Sequence, residues 1–178
     1  MQKYFLAIVP EGEFQDRVKQ LKLEIKDRFQ AKFALKSPAH ITLKMPFVYN
    51  EAKEDELIRK LGEFIAGYNS FNVTVAGLGN FGTRVIYLDV EGEDALYVLQ
   101  RELISYFKRT LKLTDELSDR NFQPHMTVAF KDIKRSQFQN ILAVVGKQEF
   151  QEVISVSKIV VLKKVLGQWE AINFLELR

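Results

Sequence analysis

Two short segments of this chain repeat one another: His40-Ile-Thr-Leu and His125-Met-Thr-Val. They stand nearly half the chain apart and contain its only two histidines. On a strand, successive side chains point to opposite faces. His40, Thr42 and Lys44 are therefore expected on one face, with Ile41, Leu43 and Met45 on the other. By the same alternation His125, Thr127 and Lys131 share a face, opposite Met126, Val128 and Phe130. Each segment has an apolar back suited to a core and a polar front suited to lining a cleft.

The elements around these segments recur in the same order. The apolar run 4–9, closed by Pro10, reads as a buried strand. Phe14, Val18, Leu21, Ile25 and Phe29 recur at helical spacing. Residues 33–35 and 40–47 read as short strands, punctuated by Pro38 and Pro46. Asn50 is a suitable N-cap for a helix carrying Leu57, Leu61, Phe64, Ile65 and Tyr68. A strand over 71–75, a glycine-marked turn over 77–82 and a strand over 85–90 come next. The third helix carries Leu96, Leu99, Leu103, Phe107 and Leu111. A polar, flexible loop is expected over 114–121, then a strand over 124–130 and a shorter helix with Phe138, Ile141, Leu142 and Val145. Two or three strands close the chain within 149–177, with a hairpin turn over 163–168.

Strand, helix, H-x-T strand, helix and strand thus occur twice. The pattern predicts an α+β fold of two lobes related by a pseudo-twofold axis, each mainly antiparallel sheet with helices outside. The H-x-T strands would face each other across a central cleft. One domain over residues 1–178, of two interleaved lobes, is expected. A chain of 178 residues with 47% hydrophobic side chains buries a core without staples, and a monomer is expected.

The absence of cysteine excludes disulfides and cysteine-based zinc sites. The run 4–9 is too short for a signal-peptide core, and no stretch is long enough to cross a membrane. A cytoplasmic protein with no membrane partner is expected. A net charge of +3 suits an anionic ligand but is too small for an extended nucleic-acid surface.

Two histidines facing a common cleft suit phosphodiester cleavage. One takes a proton from the attacking oxygen and the other protonates the leaving oxygen; a reference pKa near 6.5 allows either role. A threonine two residues on lies about 7 Å along the same face and can donate a hydrogen bond to a non-bridging oxygen. Lys44 and Lys131 would add positive charge and bind substrate. A metal enzyme is a poorer fit, because neither H-x-T carries a neighbouring carboxylate and threonine is a weak ligand. A non-catalytic RNA- or nucleotide-binding module using the same cleft is the alternative. Phe47, Tyr49, Phe81, Tyr87 and Phe122 lie near the motifs; one or two of them could stack on a base, core packing being the commoner fate of an aromatic side chain, and Trp169 reads as packing.

The paired motifs resemble those of the 2H phosphoesterase superfamily, in its 2′-5′ RNA ligase-like branch. Ser37-Pro-Ala-His40-Ile-Thr-Leu is similar to the first family motif and Asn121-Phe-Gln-Pro-His125-Met-Thr-Val to the second. Residues 77–90 are similar to the segment between them. The resemblance implies a catalytic tetrad of His40, Thr42, His125 and Thr127. It implies cyclic phosphodiesterase activity or reversible 2′-5′ RNA joining without metal or other cofactor. The partner it implies is an RNA end or small nucleotide carrying a cyclic phosphate. It casts His40 as proton donor and His125 as acceptor. Some RNA-joining relatives carry an arginine shortly after the second motif; Phe130 and Lys131 stand here instead, with Phe130 expected in the core.

Overall fold

The computed structural model describes residues Met1–Arg178. It opens with β1 (Gln2–Ile8), whose consecutive buried side chains from Tyr4 to Ile8 mark a strand covered on both faces. Helix α1 (Gly12–Phe29) buries the stripe Phe14, Val18, Leu21, Ile25 and Phe29. It ends at Gln30, whose left-handed φ of 59° turns its N–H onto the Lys26 carbonyl.

Residues 33–35, expected as a strand, lie in a 3₁₀ turn (Phe33–Lys36). The partners that favour the turn are remote in sequence. The Asp132 carboxylate accepts from the Lys32 and Phe33 N–H groups, both at 2.8 Å. Lys22 Nζ donates to the Ala34 carbonyl from the other side, at 3.1 Å.

The chain continues through β2 (Ile41–Tyr49) and α2 (Glu54–Ile65), with Asn50 accepting from Ala52 N–H at the entry to the second. Strand β3 (Phe71–Phe81) is longer than expected. Gly77 and Gly79 lie inside it, and the turn is confined to residues 82–84. Gly77, at φ +83°, falls where the β3 register slips by a residue, a backbone conformation that glycine adopts readily.

Strand β4 (Val85–Gly92) and helix α3 (Asp94–Arg109) come next. The expected flexible loop is instead built around a one-turn helix, α4 (Leu117–Arg120), closed by reciprocal Glu116–Asp119 capping. Strand β5 (His125–Phe130), helix α5 (Phe138–Gly146) and strands β6 (Gln151–Val156), β7 (Lys158–Val165) and β8 (Gln168–Glu176) complete the chain.

Two four-stranded sheets result, ordered β2-β1-β7-β8 and β5-β4-β3-β6, with every pairing antiparallel. The fold is α+β with two related halves. In each sheet the order is edge motif strand, then a strand joined to it through a long helix: β1-α1-β2 in one, β4-α3-β5 in the other. Strand β3 comes after the first half's second helix yet pairs in the second sheet, and β7 and β8 return to the first, so the halves are interleaved. A cluster of 40 buried residues runs through both sheets and the four long helices α1, α2, α3 and α5. The opposite face of the first sheet carries a smaller cluster, Phe5, Ala7, Val160 and Leu162, against which Trp169 packs. No helix is long and apolar enough to cross a membrane.

Candidate active site

The edge strands β2 and β5 abut and bring both motifs to one cavity of about 310 Å³, which His40, Thr42, His125 and Thr127 all line. Each histidine is held in the same way. His40 Nδ1 lies 2.8 Å from the carbonyl of Pro38, and His125 Nδ1 lies 2.7 Å from that of Gln123. A carbonyl only accepts, so Nδ1 carries the hydrogen in both rings. Nε2 is left to take or give a proton. The carbonyl two residues upstream is therefore part of each motif's machinery.

Aromatic rings fix the imidazoles from the side. Phe5 packs on His40 at 4.9 Å between centroids, and Trp169 meets Phe5 edge-on at 4.8 Å. Phe81 and Tyr87 each lie 5.1 Å from His125. Trp169 also lines the cavity, so it is a wall of the site as well as a packing residue. Of the other aromatic residues near the motifs, Phe81 lines this cavity. Phe122 lines the cavity beside it, and Phe47 is buried in the core.

Tyr87 depends on Gly79. A Cβ at Gly79 would fall 2.5 Å from the Tyr87 ring, and that ring is also tied by the Gln123 amide donating to its hydroxyl at 3.2 Å. Gly79→Ala is expected to push Tyr87 against His125 and to lower kcat/KM by about 10- to 100-fold, as small misplacements of catalytic groups do. The melting temperature should change by only a few degrees. Activity within twofold of wild type would show that Tyr87 does not position His125.

Alternation along the motif strands breaks just after each threonine. Ala7 pairs with Thr42 but Leu6 pairs with Lys44, so Leu43 is an extra residue. Tyr87 pairs with Thr127 but Ile86 pairs with Ala129, so Val128 is an extra residue. Both are β-bulges at the third residue after the histidine, and each reverses the face of the residues that follow it, in β2 only as far as a second irregularity between Lys44 and Phe47.

Lys44 accordingly does not face the cleft. It lies opposite Leu6 of the core, its side chain is fully buried, and its Nζ is 2.6 Å from Asp119 Oδ2. Asp119 also accepts from the Met45 N–H at 2.7 Å and the Glu116 N–H at 2.8 Å. The pair thus bolts the 116–120 segment to β2. Met45 takes the cleft-facing place expected of Lys44, and Phe130 lines the cavity rather than the core. Lys131 sits beyond the end of β5 at φ +68°. Its Nζ lies 4.4 Å from the Phe33 ring, outside the cavity lining. The cation in the lining is Lys36, whose Nζ lies 4.5 Å from the same ring.

Lys22 is a second unforeseen cation. It is buried, and its Nζ donates to the carbonyls of Ala34 and Ser37 at 3.1 and 3.3 Å. It braces the turn that leads to Pro38 and His40. Its place on the α1 stripe resembled that of any charge between apolar residues; only its contacts distinguish it.

The electrostatics favour neutral imidazoles. Burial, then the charges of Lys22 and His125, push His40 down to about 4, against the opposing pull of the Pro38 carbonyl. Burial also lowers His125, opposed by the Gln123 carbonyl and by Asp89, its cross-strand neighbour. The unfolded reference is about 6.5. The unfolded chain therefore binds these protons first, and stability is complete above pH 6.5 and lost as pH falls towards 4. In an NMR titration of the free protein, His40 should remain neutral at pH 5.5, and a bound phosphate should raise its midpoint. A midpoint at or above 6.5 without ligand would contradict this.

No group of three or more histidine, cysteine or carboxylate side chains is arranged to hold a metal ion.

Residues 10–168 match the family model described as the 2′-5′ RNA ligase superfamily. A protein of Bacillus cytotoxicus named "Putative phosphoesterase" is 30% identical over 150 residues, covering 83% of this chain and 80% of its own. One of the same name from a Geobacillus species is 28% identical, covering 85% and 83%. Among solved structures, TT0787 of Thermus thermophilus superposes with a TM-score of 0.69 at 16% identity, over 99% of this chain and 98% of its own. Escherichia coli LigT, in a complex with 3′-AMP, superposes with 0.63 at 16% identity, over 99% and 98%.

Proposed function

Since the chain belongs to the 2′-5′ RNA ligase superfamily, we propose that it is a phosphoesterase that opens a 2′,3′-cyclic or 2′-5′ phosphodiester by two-histidine acid–base catalysis. The observation that carries this reading is the matched pair of Nδ1–carbonyl bonds, which leaves one Nε2 from each half for proton transfer in a shared cavity.

With a 2′,3′-cyclic phosphate, water attacks phosphorus as one Nε2 removes its proton. The bond from phosphorus to the 3′ oxygen breaks, and the other Nε2–H protonates that oxygen, leaving a 2′-phosphate and a 3′-hydroxyl. Thr42 and Thr127 hydroxyls donate to the non-bridging oxygens, and Lys36 offsets their charge. The same displacement with an RNA 5′-hydroxyl in place of water would join ends through a 2′-5′ linkage, and its reverse would open that linkage to a cyclic phosphate and a 5′-hydroxyl.

The resemblance assigns the donor role to His40. The free site is polarised the other way, because Lys22 opposes a proton on His40 while Asp89 favours one on His125. For that order to operate, the negative charge of the bound phosphate must raise the affinity of His40 for a proton taken from solvent.

Nucleoside 2′,3′-cyclic monophosphates and a short RNA ending in a cyclic phosphate, incubated with the protein in EDTA, test the reading. Release of a 2′-phosphate is the expected result. No turnover of any of them by folded protein would overturn it in favour of a nucleotide-binding role.

A further inference from the structure

The candidate catalytic cavity adjoins, on the His40 side, a second one of about 550 Å³, and the two share Lys36, Ser37 and Trp169. The second cavity lies between the start of α1, the turn before β2, and β8. It is within the size range of small-ligand sites. We propose that it is a nucleotide subsite, holding the phosphate and base of the RNA chain on the 5′ side of the reacting cyclic phosphate. The inference rests on the phosphoesterase reading and specifies its substrate as an RNA end rather than a free cyclic mononucleotide.

The charges around the cavity support an anionic occupant. Lys19, Lys22 and Lys36 line it, with Glu11 and Asp16 opposing them. Glu11 is already engaged by Lys158 at 2.7 Å. Lys22 is 3% exposed and has only backbone carbonyls as partners. An ammonium has three donors, so one is left for a phosphate oxygen. A buried cation without a carboxylate is costly to keep, and a phosphate beside it would offset that cost. Trp169, on the wall between the cavities, offers an aromatic surface of the kind on which bases stack.

The cavity on the opposite side, beside His125, differs in chemistry. Ser118, Asn121, Phe122 and Gln123 line it, and no lysine or arginine does. Neutral amides and an aromatic ring suit a nucleoside. The phosphate-bearing chain is therefore assigned to the His40 side.

The test compares a trinucleotide ending in a 2′,3′-cyclic phosphate with the matching cyclic mononucleotide, for wild type, Lys19→Glu and Ala171→Trp. Both substituted positions line only the second cavity and are exposed. Wild type should favour the trinucleotide at least tenfold in kcat/KM. Each variant should lose at least fivefold on the trinucleotide and stay within twofold on the mononucleotide. Turnover of both substrates without a trinucleotide preference, or with one that the variants keep, would overturn the subsite and leave the phosphoesterase reading standing.

Binding provides a readout that does not need turnover. Trp169 is the only tryptophan, so its fluorescence reports the shared wall. A trinucleotide ending in a 2′-phosphate should change that fluorescence at least tenfold more tightly than the mononucleotide, and Lys19→Glu should weaken it. Equal affinities would overturn the subsite even if neither cyclic substrate were cleaved.

Discussion

Alanine at His40 or at His125 is expected to lower kcat/KM on a 2′,3′-cyclic phosphate by about 10²- to 10⁴-fold, the usual contribution of a positioned acid or base. The double variant should be little worse than either single one, because the two groups serve one displacement and their effects do not add. Each ring also packs on aromatic neighbours, so some stability is lost with the imidazole. Asparagine separates the two effects. Its side-chain amide can donate to the Pro38 or Gln123 carbonyl as Nδ1–H does, yet it cannot shuttle a proton. Activity as low in His40→Asn and His125→Asn as in the alanine variants, with stability recovered, is the expected result. Near-wild-type turnover by either asparagine variant would remove that histidine from the chemistry.

The largest stability effect is expected at Asp119. Replacing it with alanine leaves the Lys44 ammonium buried without its carboxylate, and breaking a buried pair from one side costs about 3–5 kcal/mol. For a chain of this size the melting temperature should fall by roughly 6–20 °C. Replacing both partners, as in Lys44→Met with Asp119→Leu, removes the stranded charge and should recover much of the loss. It should not recover all of it, since the half-buried Met45 and Glu116 N–H groups also lose their acceptor.

Activity should fall in both Asp119 variants. The segment they release leads directly to Gln123, whose carbonyl orients His125, and to Ser118, which lines the cavity. Thermal unfolding and kcat/KM measured together check this. An Asp119→Ala protein as stable as wild type would show that the pair carries no net weight.

The two motifs, the helical stripes and the α+β class were legible in the sequence because each rests on local periodicity. Alternation placed His40 with Thr42 and His125 with Thr127 on cleft-facing sides, and the structure brings all four to one cavity. The recurrence of strand, helix and H-x-T strand anticipated the related halves. Alternation failed at the residues beyond the threonines, where Lys44 turns inward and Phe130 outward. The cause is an extra residue just after each threonine, at Leu43 and at Val128. A bulge is a property of the pairing between two strands, so alternation along one strand does not reveal it.

The same distinction holds elsewhere. Residues 114–121 look mobile as a polar string, but Asp119 finds Lys44 and becomes a core residue. Residues 33–35 have strand-like composition, but Asp132 and Lys22, remote in sequence, hold them in a turn. By itself the sequence determined that each histidine shares a strand face with the threonine two residues on, since strand period is local. Only the tertiary structure decided which cations reach the cleft, which imidazole nitrogen is free and which cavities adjoin it. Those depend on register, burial and carbonyl direction, which exist only once distant segments pack.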